Sequence, residues 1–269
     1  ATVTENMGRG KSTVCLMAKH IGMDSFPVDI GVARDVEGER ILRRKIRYGT
    51  ADMTKEPAMT REEAVRALET GIEMAEWCAA QGYRLVCGGE MGIGNTTTSA
   101  AVTAVLTGAN VRDVTGRGAG LSSEGLERKV RAIETALKLH HPDPNDPVDI
   151  LHKVGGLDIA GMAGFYLGAA ACGLPVVLDG VISCAAALIA VRLCPAVRDY
   201  LIAAHQSAEP AGRLLLEALG YTPFISAGMR LGEGTGAVAA VAMIALVLAA
   251  YDGMPSFDEA GIDAYQPLT

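Results

Sequence analysis

Short apolar runs alternate with longer helical patterns along this chain, and that alternation is what most limits its fold. The runs fall at residues 26–30, 83–87, 175–178, 200–204 and 222–226, and the helical patterns at 61–80, 124–139, 158–172, 181–193 and 211–219. Strand followed by helix followed by strand calls for crossover connections and a parallel sheet. The runs carry apolar residues on both faces, as a sheet covered on each side requires. The expected architecture is therefore α/β: an open, mostly parallel, Rossmann-like sheet with helices on both faces. Residues 1–250 form this unit. The acidic, proline-containing tail at 251–269 is expected to add a short helix and an extended end, as part of a small helical appendage.

The polar residues then fall on one edge. Asp29 ends the first run, Glu90 follows the second, Asp179 the third and His205 the fourth, while Glu233 lies a few residues beyond the fifth. In open α/β sheets ligands bind outside the carboxyl ends of the strands. The second run leads into Gly88-Gly89-Glu90-Met91-Gly92-Ile93-Gly94-Asn95-Thr96-Thr97-Thr98-Ser99 and then a helix rich in small residues. Gly89, Gly92 and Gly94 let backbone N–H groups approach an anion. Asn95, Thr96 and Thr97 open the helix and add side-chain hydrogen bonds, so the turn reads as a phosphate cradle carrying a carboxylate. A second turn, Leu231-Gly232-Glu233-Gly234-Thr235-Gly236, again opens a small-residue helix and again holds a glutamate. Two such turns point to one site assembled from distant segments.

Several function classes drop out. A net charge of −7 over 269 residues argues against a nucleic-acid footprint. The six cysteines show no C-x-x-C pair or disulfide-like spacing, and are expected to be reduced core thiols. The apolar stretch at 236–251 is shorter than the ~20 residues of a membrane span and is expected to be a buried helix. The first residues show no signal-peptide pattern, and a cytoplasmic protein is expected. Gly8-Arg9-Gly10-Lys11-Ser12-Thr13 ends like a phosphate-binding P-loop, but Glu5 stands where the motif needs glycine and no apolar strand precedes it. A helix continuing through residues 14–20 is expected there instead. His140 and His141 are adjacent in a proline-rich loop, the wrong spacing for zinc, and no metal site is expected.

Four segments together resemble a known family. Gly-Glu-Met-Gly-Ile-Gly-Asn-Thr-Thr at 89–97, Gly-Arg-Gly-Ala-Gly-Leu at 116–121, Leu-Asp-Gly-Val-Ile-Ser at 178–183 and Arg-Leu-Gly-Glu-Gly-Thr-Gly at 230–236 are similar to motifs of the nicotinate-nucleotide:dimethylbenzimidazole phosphoribosyltransferases, in family order. The resemblance implies transfer of phosphoribose from nicotinate mononucleotide to an aromatic base for cobamide assembly, by a soluble enzyme without a cofactor, as a homodimer or with a related partner chain. Residues 1–250 would then be the nucleotide-binding catalytic domain.

Within that resemblance Glu233 takes the part of general base, accepting the proton that the attacking base loses, and Glu90 stabilises developing positive charge. Gly116, Gly118 and Lys129 suit a phosphate or ribose contact, Lys129 being otherwise part of a solvated charged helix. Asp179 meets either a ribose hydroxyl or a helix-capping amide. Ser183, Gly234, Thr235 and Gly236 belong to the matching motifs. His205 looks like the family's histidine segment, although a strand-end histidine is more often a satisfied structural residue. Three positions depart from the family pattern: Asp52 for asparagine, Gly212 for histidine and Ser226 for aspartate. Family members are longer at the N-terminus, where their upstream segment lines part of the acceptor pocket, and this sequence starts inside their pattern. A partner subunit of low activity and a nucleotide-binding module without turnover remain as alternatives. The accepted base, whether dimethylbenzimidazole, a purine or a phenol, is left open.

Overall fold

The computed structural model describes residues 1–263 and Gln266. It opens with helices α1 (Thr2–Gly8) and α2 (Thr13–His20), short strands β1 (Val28–Asp29) and β2 (Leu42–Arg43), and the long helix α3 (Arg61–Ala80). Next come β3 (Val86–Cys87), α4 (Asn95–Thr107), α5 (Val111–Val114), α6 (Ser123–His140), α7 (Pro147–Val154) and α8 (Leu157–Ala171). The chain continues through β4 (Val176–Leu178), α9 (Val181–Leu193), a 3₁₀ turn, β5 (Leu201–Ala203), α10 (Ala211–Leu219), α11 (Thr235–Gly253) and α12 (Phe257–Ala260).

Among the described residues all strand pairing is parallel, as the alternation requires, but it is divided between two small sheets. β1 pairs with β2, and β3, β4 and β5 form a second sheet with β4 in the middle. β2 lies in a strongly charged run without an apolar signature. Residues 222–226, expected to be a strand, supply only a single parallel bridge from Ile225 to His205. Pro223 lies within this run and has no N–H to give to a ladder.

The core lies around α9, which is buried along nearly its whole length, and the fully buried β4. α3 and α8 cross with their backbones in contact: a Cβ at Gly71 would overlap the Gly161 carbonyl, and one at Gly164 the Leu68 carbonyl. The small residues of α8 are thus required by close approach. α3 itself starts from a capping box, with Thr60 accepting from Glu63 N–H and Glu63 accepting in return from Thr60 N–H.

Three expectations need correction. The helix after the second glycine turn is buried only over its first turns. Ala237 and Ala240 are inaccessible, whereas Leu246 is 74% and Tyr251 83% exposed, so the helix leaves the core and presents an apolar face outward. α11 is also long and apolar enough to cross a membrane, the one such helix among the described residues, although its start is embedded in the fold. Of the six free cysteines, Cys15, Cys78 and Cys184 are buried and Cys87 partly so, but Cys172 and Cys194 are exposed, each just past the end of a helix. Finally, residues 9–12 are a joint rather than helix: Gly10 takes φ +68°, and Ser12 caps α2 by accepting from Cys15 N–H. In the tail, the short helix is α12, while much of the expected extended end lies outside the described residues.

Candidate active site

β3 delivers the chain into the turn at residues 88–94, and α4 begins at Asn95 behind a left-handed Gly94 with φ +92°. Part of the helix opening is satisfied within the turn, since Asn95 N–H donates to Gly92 C=O at 3.0 Å and Thr97 N–H to Gly94 C=O at 2.9 Å. The Asn95 side chain turns back over this loop. Its amide nitrogen donates both to the Glu90 carboxylate and to Asp158 Oδ2, the latter at 2.7 Å. Gly92 is confined by that arrangement: a Cβ there would lie 2.9 Å from both the Asn95 amide and Asp158.

Glu90 is pushed up to about 7, chiefly by burial. The Asn95 bond opposes this, and the negative charges of Asp158, Asp179 and Glu233 reinforce it. Burial also pushes the Asp158 carboxyl up.

The second glycine turn lies against the first. Glu233 N–H donates to Glu90 C=O at 3.2 Å, and a Cβ at Gly89 would stand 2.5 Å from Glu233 C=O. Glu233 has φ +63°, a left-handed conformation rare for a residue with a side chain, between two left-handed glycines. Its carboxylate accepts from Val14 N–H at 3.1 Å, so the opening turn of α2 also reaches the site.

α11 begins behind Gly234, which has no side chain to cap it. Asp179, at the end of β4, does so instead. It accepts from Gly234 N–H at 3.0 Å, Gly236 N–H at 2.7 Å and Ala237 N–H at 3.3 Å. Of the two roles left open for Asp179, the capping one is therefore realised.

His205 Nε2 stands 3.5 Å from Asp179 Oδ1, and the ring fills the space a Cβ at Gly236 would occupy. Ser183 Oγ accepts from Asp179 N–H at 3.0 Å and bonds the buried Tyr166 hydroxyl at 2.7 Å. Asp179, Ser183 and His205 are all buried and frame the Glu233 turn from below. His205 is not a fully satisfied structural residue, because its buried Nδ1 has no hydrogen-bond partner among the described residues. Thr235 bonds back to Gly232 C=O at 2.9 Å.

The remaining residues gather on the neighbouring face of α4. Lys129 is buried on α6 rather than solvated, and its Nζ donates to Thr96 Oγ1 at 2.8 Å and to Gly116 C=O at 2.9 Å. Burial lowers its proton affinity while Glu209 raises it. Lys129 thus ties the loop of Gly116 and Gly118 to the first turn of α4. A Cβ at Gly118 would meet Thr96 Oγ1 at 2.8 Å.

The three departures are accommodated locally. Asp52 accepts from Thr54 and pairs with Lys55 at 2.9 Å, which holds its carboxyl down at about 2. Gly212 abuts Ser207, whose carbonyl lies 2.6 Å from where a Cβ would be. Ser226 is exposed.

Sequence reading missed Asp158 and Val14. Asp158 hides at the start of a helix of small residues, with only the preceding Gly-Gly to mark the site. Val14 contributes a backbone amide, which leaves no trace in residue type. Among the described residues no group of three or more His, Cys, Asp or Glu is placed to hold a metal ion.

A parallel α/β fold whose strand ends carry two glycine turns, two helix N-termini and convergent carboxylates is a nucleotide-handling enzyme. Residues 1–262 match a family model described as phosphoribosyltransferase, and the chain belongs to that family. Similar curated proteins are named nicotinate-nucleotide–dimethylbenzimidazole phosphoribosyltransferase. The one from Acetivibrio thermocellus is 48% identical over 98% of this chain and 76% of its own length, and that from Geobacter sulfurreducens 49% identical over 96% and 73%. The crystal structure of CobT from Thermus thermophilus superposes with a TM-score of 0.92 at 40% identity, covering 97% of this chain and 78% of that one.

Proposed function

We propose that Glu233 and Glu90 are the two catalytic carboxylates of a transfer that moves the 5-phosphoribosyl group of nicotinate mononucleotide to a benzimidazole-type base. The products are an α-ribazole phosphate and nicotinate, for assembly of the cobamide nucleotide loop. The observation that carries this reading is the meeting of the two glycine turns, which sets one glutamate beside the N-terminus of α4 and the other beside that of α11.

The chemistry follows from charge. Nicotinate mononucleotide already holds a cationic pyridinium on C1′, so nicotinate leaves without an acid. The attacking base needs help, because as one ring nitrogen bonds to C1′ the other must lose its proton. Glu233 accepts it, its carboxylate positioned by the Val14 amide. Glu90, ionised, stabilises positive charge on the ribosyl group in transit. The start of α4, with Thr96 and Thr97, and the loop of Gly116 and Gly118 receive the phosphate, while Lys129 holds these two segments together. Asp179, Ser183 and His205 support the Glu233 turn.

The enzyme works in the cytoplasm as a homodimer, and the exposed apolar face of α11 around Leu246, Val247 and Tyr251 supports association. Light scattering that returns the monomer mass of 28.0 kDa at micromolar concentration would refute the dimer. The function itself is tested by incubating the protein with nicotinate mononucleotide and a panel of dimethylbenzimidazole, adenine and phenol, and separating the products by chromatography. Nicotinate release that depends on an added base is expected, together with a new nucleotide. Nucleotide binding without release under every base would make the chain a binding module and overturn the proposal.

A further inference from the structure

Asp158 belongs to no glycine turn, yet it touches the catalytic cluster. It is the second residue of α8, and backbone confines its carboxylate on both sides: a Cβ at Gly156 would lie 2.5 Å from Oδ1 and one at Gly92 2.9 Å from Oδ2. Oδ2 accepts from the Asn95 amide nitrogen at 2.7 Å, and the same nitrogen donates to Glu90. A carboxamide nitrogen carries two protons, so this donor is fully used, one proton to each carboxylate. The opposite orientation of Asn95 would turn its carbonyl oxygen toward two acids, which fixes the assignment on chemical grounds.

We propose that Asp158 is a positioning residue for the reaction: by sharing the Asn95 amide with Glu90 it fixes both the orientation and the charge of that glutamate. The inference rests on the reading of Glu90 given above. The charged groups that act on Glu90 are Asp158 on α8, Asp179 after β4 and Glu233 before α11, all acidic. Asp179 is engaged by three backbone amides and Glu233 by one. Asp158 is the one that shares a donor with Glu90. Burial is the main reason that Glu90 resists ionisation in the empty site, the Asp158 carboxylate adds to it, and arrival of the pyridinium cation favours the ionised form. The cluster thus gains its full negative charge when the cationic substrate is there to balance it.

The test is the pH profile of kcat/KM, which reports ionisations of the free enzyme, measured with nicotinate mononucleotide and dimethylbenzimidazole. Asp158→Asn keeps shape and hydrogen bonding but removes the charge, so the acid limb is expected to move down by about one pH unit, the effect of a nearby like charge. Asn95→Ala removes the bond that favours ionised Glu90, and its acid limb is expected to move up. Opposite displacements are a signature that loss of structure alone does not produce, and either variant suffices if the other fails to fold. A limb that stays in place in Asp158→Asn, while Glu90→Gln abolishes it, would overturn the role of Asp158 alone. If Glu90→Gln leaves both rate and limb unchanged, the reading of Glu90 fails and this inference with it.

Discussion

Replacing Glu90 by glutamine should stabilise the protein while disabling it, and the gain should grow with pH. In the fold this carboxyl titrates at about 7 instead of 4.5, because burial and three neighbouring acids disfavour its charge. A group whose pKa is raised on folding contributes stability below its unfolded value and loses it as pH rises through the folded value. That difference, at about 1.4 kcal/mol for each pH unit, makes the ionised glutamate a burden of about 3 kcal/mol at pH 8. The glutamine side chain would still accept from Asn95 through its carbonyl and would have no proton to lose. Urea unfolding followed by circular dichroism at pH 5, 6.5 and 8 checks this. The variant should gain little over the parent at pH 5 and about 2 to 3 kcal/mol at pH 8, with catalysis lost throughout. A stability difference that is the same at all three values would refute the claim that Glu90 carries a fold-imposed charge penalty.

Glu233→Gln should lower turnover by ~10²–10⁴ with little change in nucleotide affinity, the usual worth of a general base. Steady-state kinetics beside calorimetric titration separate the two quantities. Lys129→Met removes the donor shared by Thr96 and Gly116, so nicotinate mononucleotide should bind at least tenfold more weakly by calorimetry. Gly236→Ala places a methyl group where the His205 ring stands and should cost about 1 to 3 kcal/mol in thermal or urea unfolding.

The alternation of elements and the edge at which polar residues collect could be read from the sequence, because both depend on local pattern. β3, β4 and β5 lie within the apolar runs expected for them, and Glu90, Asp179 and His205 follow those strands. β2 was invisible because Leu42 and Arg43 pair through backbone groups within a charged run. The outward face of α11 was misread because an apolar helix looks the same in sequence whether a core or only its own first turns hold it. Lys129 looked like part of a charged surface, yet its partners Thr96 and Gly116 come from segments that only the folded chain brings together. For Asp158 and Val14 the contacts are long-range, and the local sequence offers no mark beyond the Gly-Gly that precedes Asp158.

The bond from Val14 N–H to the Glu233 carboxylate joins positions 219 residues apart. Closing so large a loop carries an entropic cost that local helices do not meet, and contacts of this kind form late. Most of the helical content can assemble before α2 reaches the Glu233 turn. Refolding from denaturant should therefore restore the far-ultraviolet signal ahead of catalytic competence. During biosynthesis Val14 waits for 219 further residues to be made before its partner exists, so a product of the ribosome cut short before Glu233 can be richly helical and still lack a working centre.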